Sequence, residues 1–529
     1  MNRTTTTLIG AVTALAALTG VAAVAAPGDE DTGPASAAGR KPVERSTLVC
    51  PQPSLSDVAQ TEYTAFSPKG GEGKGSAELY PAEKTDADGT PGGSEEKKEE
   101  KPKKGDKGKK SKKKDEQETR ADDKPGADAQ PLVPLKAPGK PVTAKKDSSA
   151  PAFFGSADGR LAPGWTVQQT TSVAVGAGRG LQGTACSVPD TDFWFPGAST
   201  AEDRQDYVHL TNPDDTSAVV DLDLYSKKGR ESSEAGEGIT VPPRSTVPVL
   251  LSTLTAEPLI NVGVHVVARA GRVGAQVQAV DEKLGGDWVS AVADPNPSAV
   301  LPGIPGDATG VRLVVLAVGE NDADLKVRLA TPSGQIAPAG AETLHVRGGM
   351  VKAVDLRDLT KGEAGSLVLT PSEGGSEATP VVAALRVTRG KGKKQETAFI
   401  PGTAPLVERA TAADNREKGS SLSLTATGKS VSVRVTASPG SGGGSPVSQT
   451  YKVKGKTTKS LVPPRPKGGK GTYAVTVERL SGGPLYASRM MERKDDGVPA
   501  FTVQTLPDDR GTVSVPESGQ DLSVLTNGN

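Results

Sequence analysis

Apolar and polar residues alternate along many short stretches of this chain, for example at 218–225, 323–329 and 431–435. An alternation of period two is typical of β-strands that bury one face and expose the other. Clusters of Gly, Pro, Asn and Asp separate the stretches, and the pattern of an amphipathic helix does not occur between them. The alternation therefore predicts antiparallel sheets that pack as β-sandwiches.

A bulky apolar residue followed by Pro-Gly recurs at nearly equal intervals, at 195–197, 301–303 and 400–402. Leu506-Pro507 is a further copy that lacks the glycine. These Pro-Gly copies lie about 100 residues apart, which is the length of a small β-sandwich domain. A propeller is the alternative explanation of such a repeat, but its blades usually have about 40–50 residues. We therefore predict an all-β chain of tandem antiparallel, Ig-like β-sandwich modules.

The Pro-Gly copies also divide the chain, whose 529 residues are too many for one core. Each predicted module ends at or soon after one copy. The predicted segments are an export segment at 1–26, a degenerate first module at 40–197 that is interrupted by an insertion at 68–149, a second module at 198–305, a third at 306–405 and a fourth at 406–529.

The N-terminal segment predicts export. Arg3 precedes an uncharged run from Leu8 to Ala26, and Ala23-Val24-Ala25 offers the small residues that a signal peptidase requires. The alternative is an uncleaved membrane helix, because the run is just long enough to cross a bilayer. Either way we expect a secreted or extracytoplasmic protein.

The chain has two cysteines, Cys50 and Cys186. An even number of cysteines in an exported chain favours a disulfide, and two buried reduced thiols are the alternative. Two cysteines alone do not make a structural zinc site.

The predicted insertion at 68–149 is dense in Lys, Glu, Asp, Gly and Pro. Such a segment buries too little apolar area to offset the entropy of ordering it, so we expect disorder. Its lysine-rich part is a candidate contact for an anionic wall polymer or membrane surface, and a solvated spacer is the alternative. The candidate contact residues are Lys109, Lys110, Lys112, Lys113 and Lys114.

Few residues suggest catalysis. His209, His265 and His345 fall in separate strand patterns, without a partner at metal-ligand spacing along the sequence. Motifs of nucleophilic, phosphate-binding or dinucleotide-binding sites do not occur. Scattered residues can still assemble a triad in a fold. We predict that the protein is not an enzyme and has no cofactor and no metal site.

Three pairs of aspartates stand at alternate positions, where two carboxylates share one strand face. Calcium could bind such pairs, but no full ligand loop follows any of them, so we interpret them as solvated strand faces. The pairs are Asp190 and Asp192, Asp221 and Asp223, and Asp322 and Asp324.

Exposure of the three tryptophans distinguishes a scaffold from a lectin. Sugar rings stack on exposed aromatic side chains, so a lectin needs at least one exposed tryptophan. Trp288 follows the loop-like 285–287 and is the candidate glycan contact. We expect Trp194 to fill the first core beside the disulfide, as tryptophans do in disulfide-containing sandwiches. Trp165 is a further candidate for a sugar contact, but unlike the other two it does not lie near a module end.

Several short motifs outside the insertion can be taken together. They are Thr47–Pro51, Cys186, Asp192–Gly197, Asn212-Pro213, Val241–Thr246 and Asp287–Val289. Together they resemble a family of exported actinobacterial proteins that contain a domain of unknown function and are usually described only as secreted or membrane proteins. The resemblance implies a place in the cell envelope, and the family's genes tend to lie beside a family-2 glycosyltransferase, which suggests envelope polysaccharide. No catalytic residue can be transferred from the family.

The formal net charge is zero, so no bulk field attracts the chain to nucleic acid. We predict a non-catalytic exported cell-envelope protein that acts as an interaction or scaffolding array, with an envelope protein or a cell-wall glycan as its partner. A membrane contact is expected only through an uncleaved N-terminal segment. The alternatives are a carbohydrate-binding protein of the cell wall and an enzyme acting on envelope glycans.

Overall fold

The structure is a computed structural model that describes residues 39–54, 56–85, 130–148, 150–372, 378–495 and 498–515. The described residues form β-strands and four short 3₁₀ turns, at Gly159–Leu161, Glu234–Gly236, Leu251–Leu254 and Gly392–Lys394. The predicted all-β fold is therefore confirmed. The chain divides into two units. One contains the first strand, β1 (Gly39–Pro42), paired antiparallel with the last, β37 (Thr512–Val515).

The other unit, Val43–Gly511, contains all the remaining strands, which form four β-sandwiches. The first and second follow each other along the chain. The first has β2 (Arg45–Cys50), β3 (Ala59–Phe66), β4 (Ala77–Pro81), β6 (Leu132–Leu135), β7 (Val142–Lys146), β8 (Phe153–Asp158), β9 (Thr166–Val173) and β10 (Gly180–Ala185). The short β5 (Glu83–Lys84) follows β4 in the chain but pairs with a strand of the second. The second has β11 (Asp192–Ala198), β12 (Tyr207–Thr211), β13 (Ala218–Ser226), β14 (Gly229–Glu231), β15 (Ile239–Val241), β16 (Ser245–Leu250), β17 (Val262–Ala270), β18 (Gly274–Asp281) and β19 (Gly285–Val289).

The third and fourth sandwiches repeat this plan. The third has β20 (Ala299–Ile304), β21 (Ala308–Ala317), β22 (Ala323–Ala330), β23 (Gln335–Ile336), β24 (Thr343–Val346), β25 (Val351–Arg357), β26 (Gly365–Pro371), β27 (Val381–Arg389) and β28 (Glu396–Pro401). The fourth has β29 (Arg409–Asn415), β30 (Ser420–Ala426), β31 (Val431–Pro439), β32 (Val447–Val453), β33 (Thr457–Leu461), β34 (Tyr473–Gly482), β35 (Leu485–Asp495) and β36 (Val498–Thr505).

One strand order recurs in all four sandwiches. The first has sheets β2-β8-β4-β6 and β10-β9-β3-β7, and the fourth has β29-β34-β31-β32 and β33-β30-β35-β36. The second and third keep this order and add the short strands β14 and β23. Among the described strands, pairing is antiparallel except between β16 and β5, a two-residue strand that follows β4 in the chain and extends a sheet of the second sandwich. The repeat therefore reflects four copies of one fold.

Each sandwich encloses its own core between its two sheets. The period-two alternation is clearest in β13 and β22, where buried residues such as Val220 and Leu325 alternate with more exposed ones. The cores consist mainly of Val, Leu and Ala, because the chain has few aromatic residues.

The Pro-Gly copies do not lie at equivalent places in the sandwiches. The copies in β11 and β20 lie in the first strands of the second and third sandwiches, whereas the copy at 400–402 lies at the end of β28, the last strand of the third. Gly197 and Gly303 have positive φ and interrupt the pairing register of their strands, so these copies form bulges. Strand pairing therefore assigns 192–198 to the second sandwich, and not to the end of the first as the sequence suggested. The module boundaries stay a prediction.

The predicted insertion at 68–149 is too long. It contains β4, β6 and β7, which belong to the first sandwich, and β5. Leu79, Leu132 and Leu135 are buried in the first core. The prediction failed because it rested on the average composition of the segment, which is dominated by charged residues, Gly and Pro, and not on its short apolar runs. Residues 86–129, including the lysine-rich part, lie outside the described residues.

The last strands of the four sandwiches, β10, β19, β28 and β36, contact one another in a closed cycle. Aromatic side chains fix part of this arrangement: Phe399 of β28 joins the core of the second sandwich, and Phe501 of β36 joins that of the third. Leu181 of β10 packs against Met491 and Ala500 of the fourth. The first and fourth sandwiches are therefore neighbours, and the array is closed rather than extended.

Candidate functional site

Asp287 lies at the point where the four last strands meet, which we call the central junction. Its Oδ1 accepts hydrogen bonds from the backbone N–H of Gly183 in β10 (3.0 Å) and from the Thr502 hydroxyl in β36 (3.1 Å). The backbone N–H of Phe399 in β28 also stabilises its charged form. One carboxylate of the second sandwich thus interacts with the other three.

The central junction is buried and tightly packed. Asp287 is almost fully buried, and burial raises the pKa of its carboxyl well above the usual range, although the hydrogen bonds oppose this shift. A Cβ on Gly183 would lie 2.6 Å from the Thr502 Cγ2, so only glycine lets β10 approach β36 this closely. The buried carboxylate therefore acts as a structural link.

A second set of polar contacts joins the first and fourth sandwiches. The Thr170 hydroxyl donates to Asp414 (2.7 Å), and the Gln168 side-chain oxygen accepts from the Asp414 backbone N–H (2.9 Å). Arg416 forms an ion pair with Glu62 (2.7 Å). These contacts connect residues more than 200 positions apart and complete the cycle.

The predicted disulfide is present between Cys50 and Cys186, with a Cα–Cα distance of 4.3 Å. It joins β2, the first strand of the first sandwich, to the residue after β10, the last. Backbone hydrogen bonds in both directions between Val49 and Ser187 flank it. A disulfide of this kind indicates an extracytoplasmic protein. Within the described part of the chain, no helix is long and apolar enough to span a bilayer, and the predicted export segment at 1–26 lies outside that part.

The expectation that Trp288 is exposed is wrong. Its side chain is 1% exposed and lies within β19, with its ring 5.5 Å from that of His209. The glycines before it resemble a loop in the sequence but begin an edge strand at the central junction. Trp165 is also buried, in the core of the first sandwich.

Trp194 does not fill the first core as predicted. It packs against Val314, Leu316 and Val351, and so lies between the second and third sandwiches. Its ring stacks on His265, with the ring centroids 3.6 Å apart. The ring faces away from the first core because it lies on β11, which pairs within the second sandwich.

Two of the histidines, His265 and His345, have aspartate partners that the sequence spacing did not show. His265 contacts Asp192 (2.8 Å), and His345 contacts Asp324 (2.9 Å) and Asp322 (3.3 Å). Burial lowers the pKa of His209 to about 4. Asp221 and Asp223 bind Arg269 and Arg230. The aspartate pairs are thus used within their sheets. The candidates Lys109, Lys110, Lys112, Lys113 and Lys114 lie outside the described residues.

An open cleft of about 740 Å³ lies between the second and third sandwiches, with Arg179 of the first sandwich at one side. We call it the arginine cleft. Six basic and three acidic side chains line it, together with the exposed Ile260 and the polar Ser199 and Asn261. The charged residues are Arg179, Arg204, Lys283, Arg312, Arg386 and Lys393, and Asp203, Asp281 and Glu282. No motif in the sequence marks this site, because its residues come from distant strands and turns.

Some of these cations are bound by the protein. Arg204 makes two hydrogen bonds to Asp206, of 2.9 and 2.6 Å, and both residues are buried. Arg179 donates to the carbonyl oxygens of Lys283 and Gln395, each at 3.0 Å, and so links three sandwiches. These two arginines shape the walls of the arginine cleft.

Glu396 lies between the arginine cleft and the central junction. Its Oε1 is 3.7 Å from the Arg179 Nε, and its side chain is almost fully buried. Burial raises the pKa of Glu396 to about 7, although Arg179 opposes the shift. The carboxyl group therefore changes charge near neutral pH.

Comparison with known proteins gives a family but no function. No curated protein matches the chain, and no solved structure matches it. A family of unknown function, DUF5719, matches residues 142–464, which run from β7 to just beyond β33 and are more than half of the chain. The chain therefore belongs to DUF5719, a family of unknown function.

Proposed function

We propose that the protein is a non-catalytic extracytoplasmic protein of the cell envelope that acts as a scaffold for a partner protein. The observation that carries this proposal is the closure of the four sandwiches around Asp287, which accepts hydrogen bonds from the first and fourth sandwiches. Closure fixes the loops and strand edges of four similar units in one arrangement. Such an arrangement suits binding, because a partner meets a preorganised surface.

The buried charged groups support a structural use. Asp287, Asp414 and Asp206 all bind donors of the protein itself, two of them across sandwich boundaries. Catalytic carboxylates instead need access to a substrate. An exposed edge is also present at β32, which pairs with β31 alone among the described strands. Most of its side chains are exposed, and such an edge can accept a strand of a partner.

Binding of a cell-wall carbohydrate is the second candidate function, and the arginine cleft favours it. Its volume lies within the usual range of small-molecule sites. The resemblance to exported proteins encoded beside a glycosyltransferase is consistent with this candidate. It would require an acidic glycan, because the cleft carries more basic than acidic side chains.

The test is co-sedimentation of the purified mature protein with cell-wall polysaccharide, followed by assay of the supernatant for released reducing ends. A scaffold should stay in the supernatant and release none. Retention that is lost in Arg386→Gln but kept in Arg230→Gln, which alters an exposed arginine on β14, would favour the carbohydrate-binding function. Release of reducing ends by the wild-type protein would contradict a non-catalytic role.

The envelope location has a separate test. Fractionation of cells and sequencing of the mature N-terminus should give a start near Ala26 in the secreted or wall fraction. An intact Met1 in the membrane fraction would show an uncleaved anchor. Recovery of the full chain in the cytoplasm would contradict the proposal.

A further inference from the structure

Two arginines face each other across neighbouring strands in the arginine cleft. Arg312 of β21 and Arg386 of β27 are direct partners in the antiparallel register. Side chains at such positions lie on the same face, with Cβ atoms about 5 Å apart, and like charges there are destabilising. The strand on the other side of β27 places Phe399 opposite Arg386, so it offers no counter-charge.

Nearby carboxylates are bound to other groups. Asp206 is held by Arg204 through two hydrogen bonds, and Asp281 accepts the backbone N–H groups of Lys283 and Leu284, each at 2.8 Å. Arg312 is 3.6 Å from Asp355 of β25, on the side away from Arg386.

Arg386 itself makes no hydrogen bond or ion pair with the part of the chain that the structure describes. Burial, Arg204 and Arg312 lower its pKa and outweigh the attraction of Asp281 and Asp206, which raises it, but arginine stays protonated in proteins. A half-buried positive charge therefore faces the cleft beside a second arginine and has no ion-pair partner among the described residues.

We propose that the arginine cleft is a binding site for a small ligand that carries one phosphate or carboxylate group, held by Arg386 and Arg312. Planar guanidinium groups bind such oxyanions through paired hydrogen bonds. A bound anion would supply an ion-pair partner for Arg386, which has none among the described residues, and would offset its repulsion from Arg312. Ser199 and Asn261 line the same cleft and can hydrogen-bond to hydroxyl groups of the ligand.

The acidic side chains limit the ligand to one anionic group. Asp203, Asp281 and Glu282 line the same cleft and would repel a second phosphate or carboxylate. A polyanion such as nucleic acid therefore fits poorly. An acidic sugar or a sugar monophosphate has the required chemistry, with one oxyanion and several hydroxyl groups.

The test is isothermal titration calorimetry of the full mature chain with glucose 1-phosphate and, separately, with glucuronate, at constant ionic strength. At least one ligand should bind, and the tighter one identifies the anionic group. Arg386→Gln should weaken binding at least tenfold, Arg386→Lys should weaken it less, and Arg230→Gln should leave it unchanged. Failure of both ligands to bind, or equal binding by wild type and Arg386→Gln, would overturn the proposal.

The thermal midpoint without ligand separates a binding role from a structural one. Because Arg386→Gln removes a repulsion and breaks no bond of the described chain, its midpoint should equal or exceed that of the wild type. A structural arginine would give the opposite result. A midpoint several degrees below that of the wild type would contradict the assignment of Arg386 as a ligand-binding residue.

Discussion

The central junction and the arginine cleft both lie between sandwiches, and both contain charged side chains removed from bulk water. At the central junction, Asp287 is satisfied by donors from neighbouring sandwiches. In the arginine cleft, Arg386 faces Arg312 and makes no ion pair with the described chain. The first arrangement stabilises the fold, whereas the second costs stability.

This difference separates two uses of a buried charge. A charge that binds donors of several sandwiches holds them together, and its loss should lower the free energy of unfolding. A charge without a partner has no such role and is instead available to a ligand. The predictions below test this distinction, from the largest expected effect to the smallest.

Replacing Asp287 should have the largest effect. Asp287→Ala leaves the donors of Gly183, Thr502 and Phe399 without their acceptor, and each unsatisfied buried donor costs about 1–3 kcal/mol. We expect a loss of roughly 5 kcal/mol in the free energy of unfolding, measured by urea denaturation. Asp287→Asn keeps an acceptor oxygen and should lose much less. Equal losses for the two variants would contradict the hydrogen-bonding role.

Replacing Trp194 tests the apolar contact between the two sandwiches that enclose the arginine cleft. Trp194→Ala removes a large buried ring from beside Val314 and Leu316 and should cost about 3–5 kcal/mol. Trp194→Phe keeps a ring and is the matched control. The same urea experiment applies, and a loss below about 1 kcal/mol would show that these sandwiches are not held by this contact.

The pH dependence of Glu396 should be a smaller effect. Its pKa is about 7 in the folded protein, above the ordinary value of 4.5 for a glutamate, so the folded state holds the proton more tightly. Proton binding by Glu396 therefore contributes to the free energy of unfolding below pH 4.5, and this contribution is lost as the pH rises to about 7. Glu396→Gln resembles the protonated form. The thermal midpoint of the variant minus that of the wild type should therefore increase as the pH rises from 5 to 8. If this difference does not depend on pH, the raised pKa of Glu396 is contradicted.

The sequence could predict what depends on local pattern. The alternation in β13 and β22 identified strands, and the repeat length identified sandwiches. The disulfide pairing could be predicted because the chain contains only two cysteines. In the inserted segment, averaging over 82 residues concealed Leu79 and Leu132, each of which lies in a short strand.

The candidate sites depend on contacts between distant strands, which the sequence pattern does not show. Gly285-Gly-Asp-Trp288 has the composition of a loop, yet burial against other sandwiches makes it a strand. Arg312 and Arg386 are separated by more than 70 residues, and only the strand register places them side by side. Closure of the array likewise depends on the contact between β10 and β36. Nothing in the sequences of these two strands predicts that they pack together.

Hydrogen exchange in a variant that weakens the fourth sandwich tests the closed cycle most directly. Leu424→Ala removes a fully buried side chain from its core and should cost about 2–5 kcal/mol. If the cycle is closed, backbone protection should fall in β9 and β10 of the first sandwich more than in β17 and β18 of the second. If the loss of protection is instead largest in the third sandwich, smaller in the second and smallest in the first, the cycle is not closed and the array is linear.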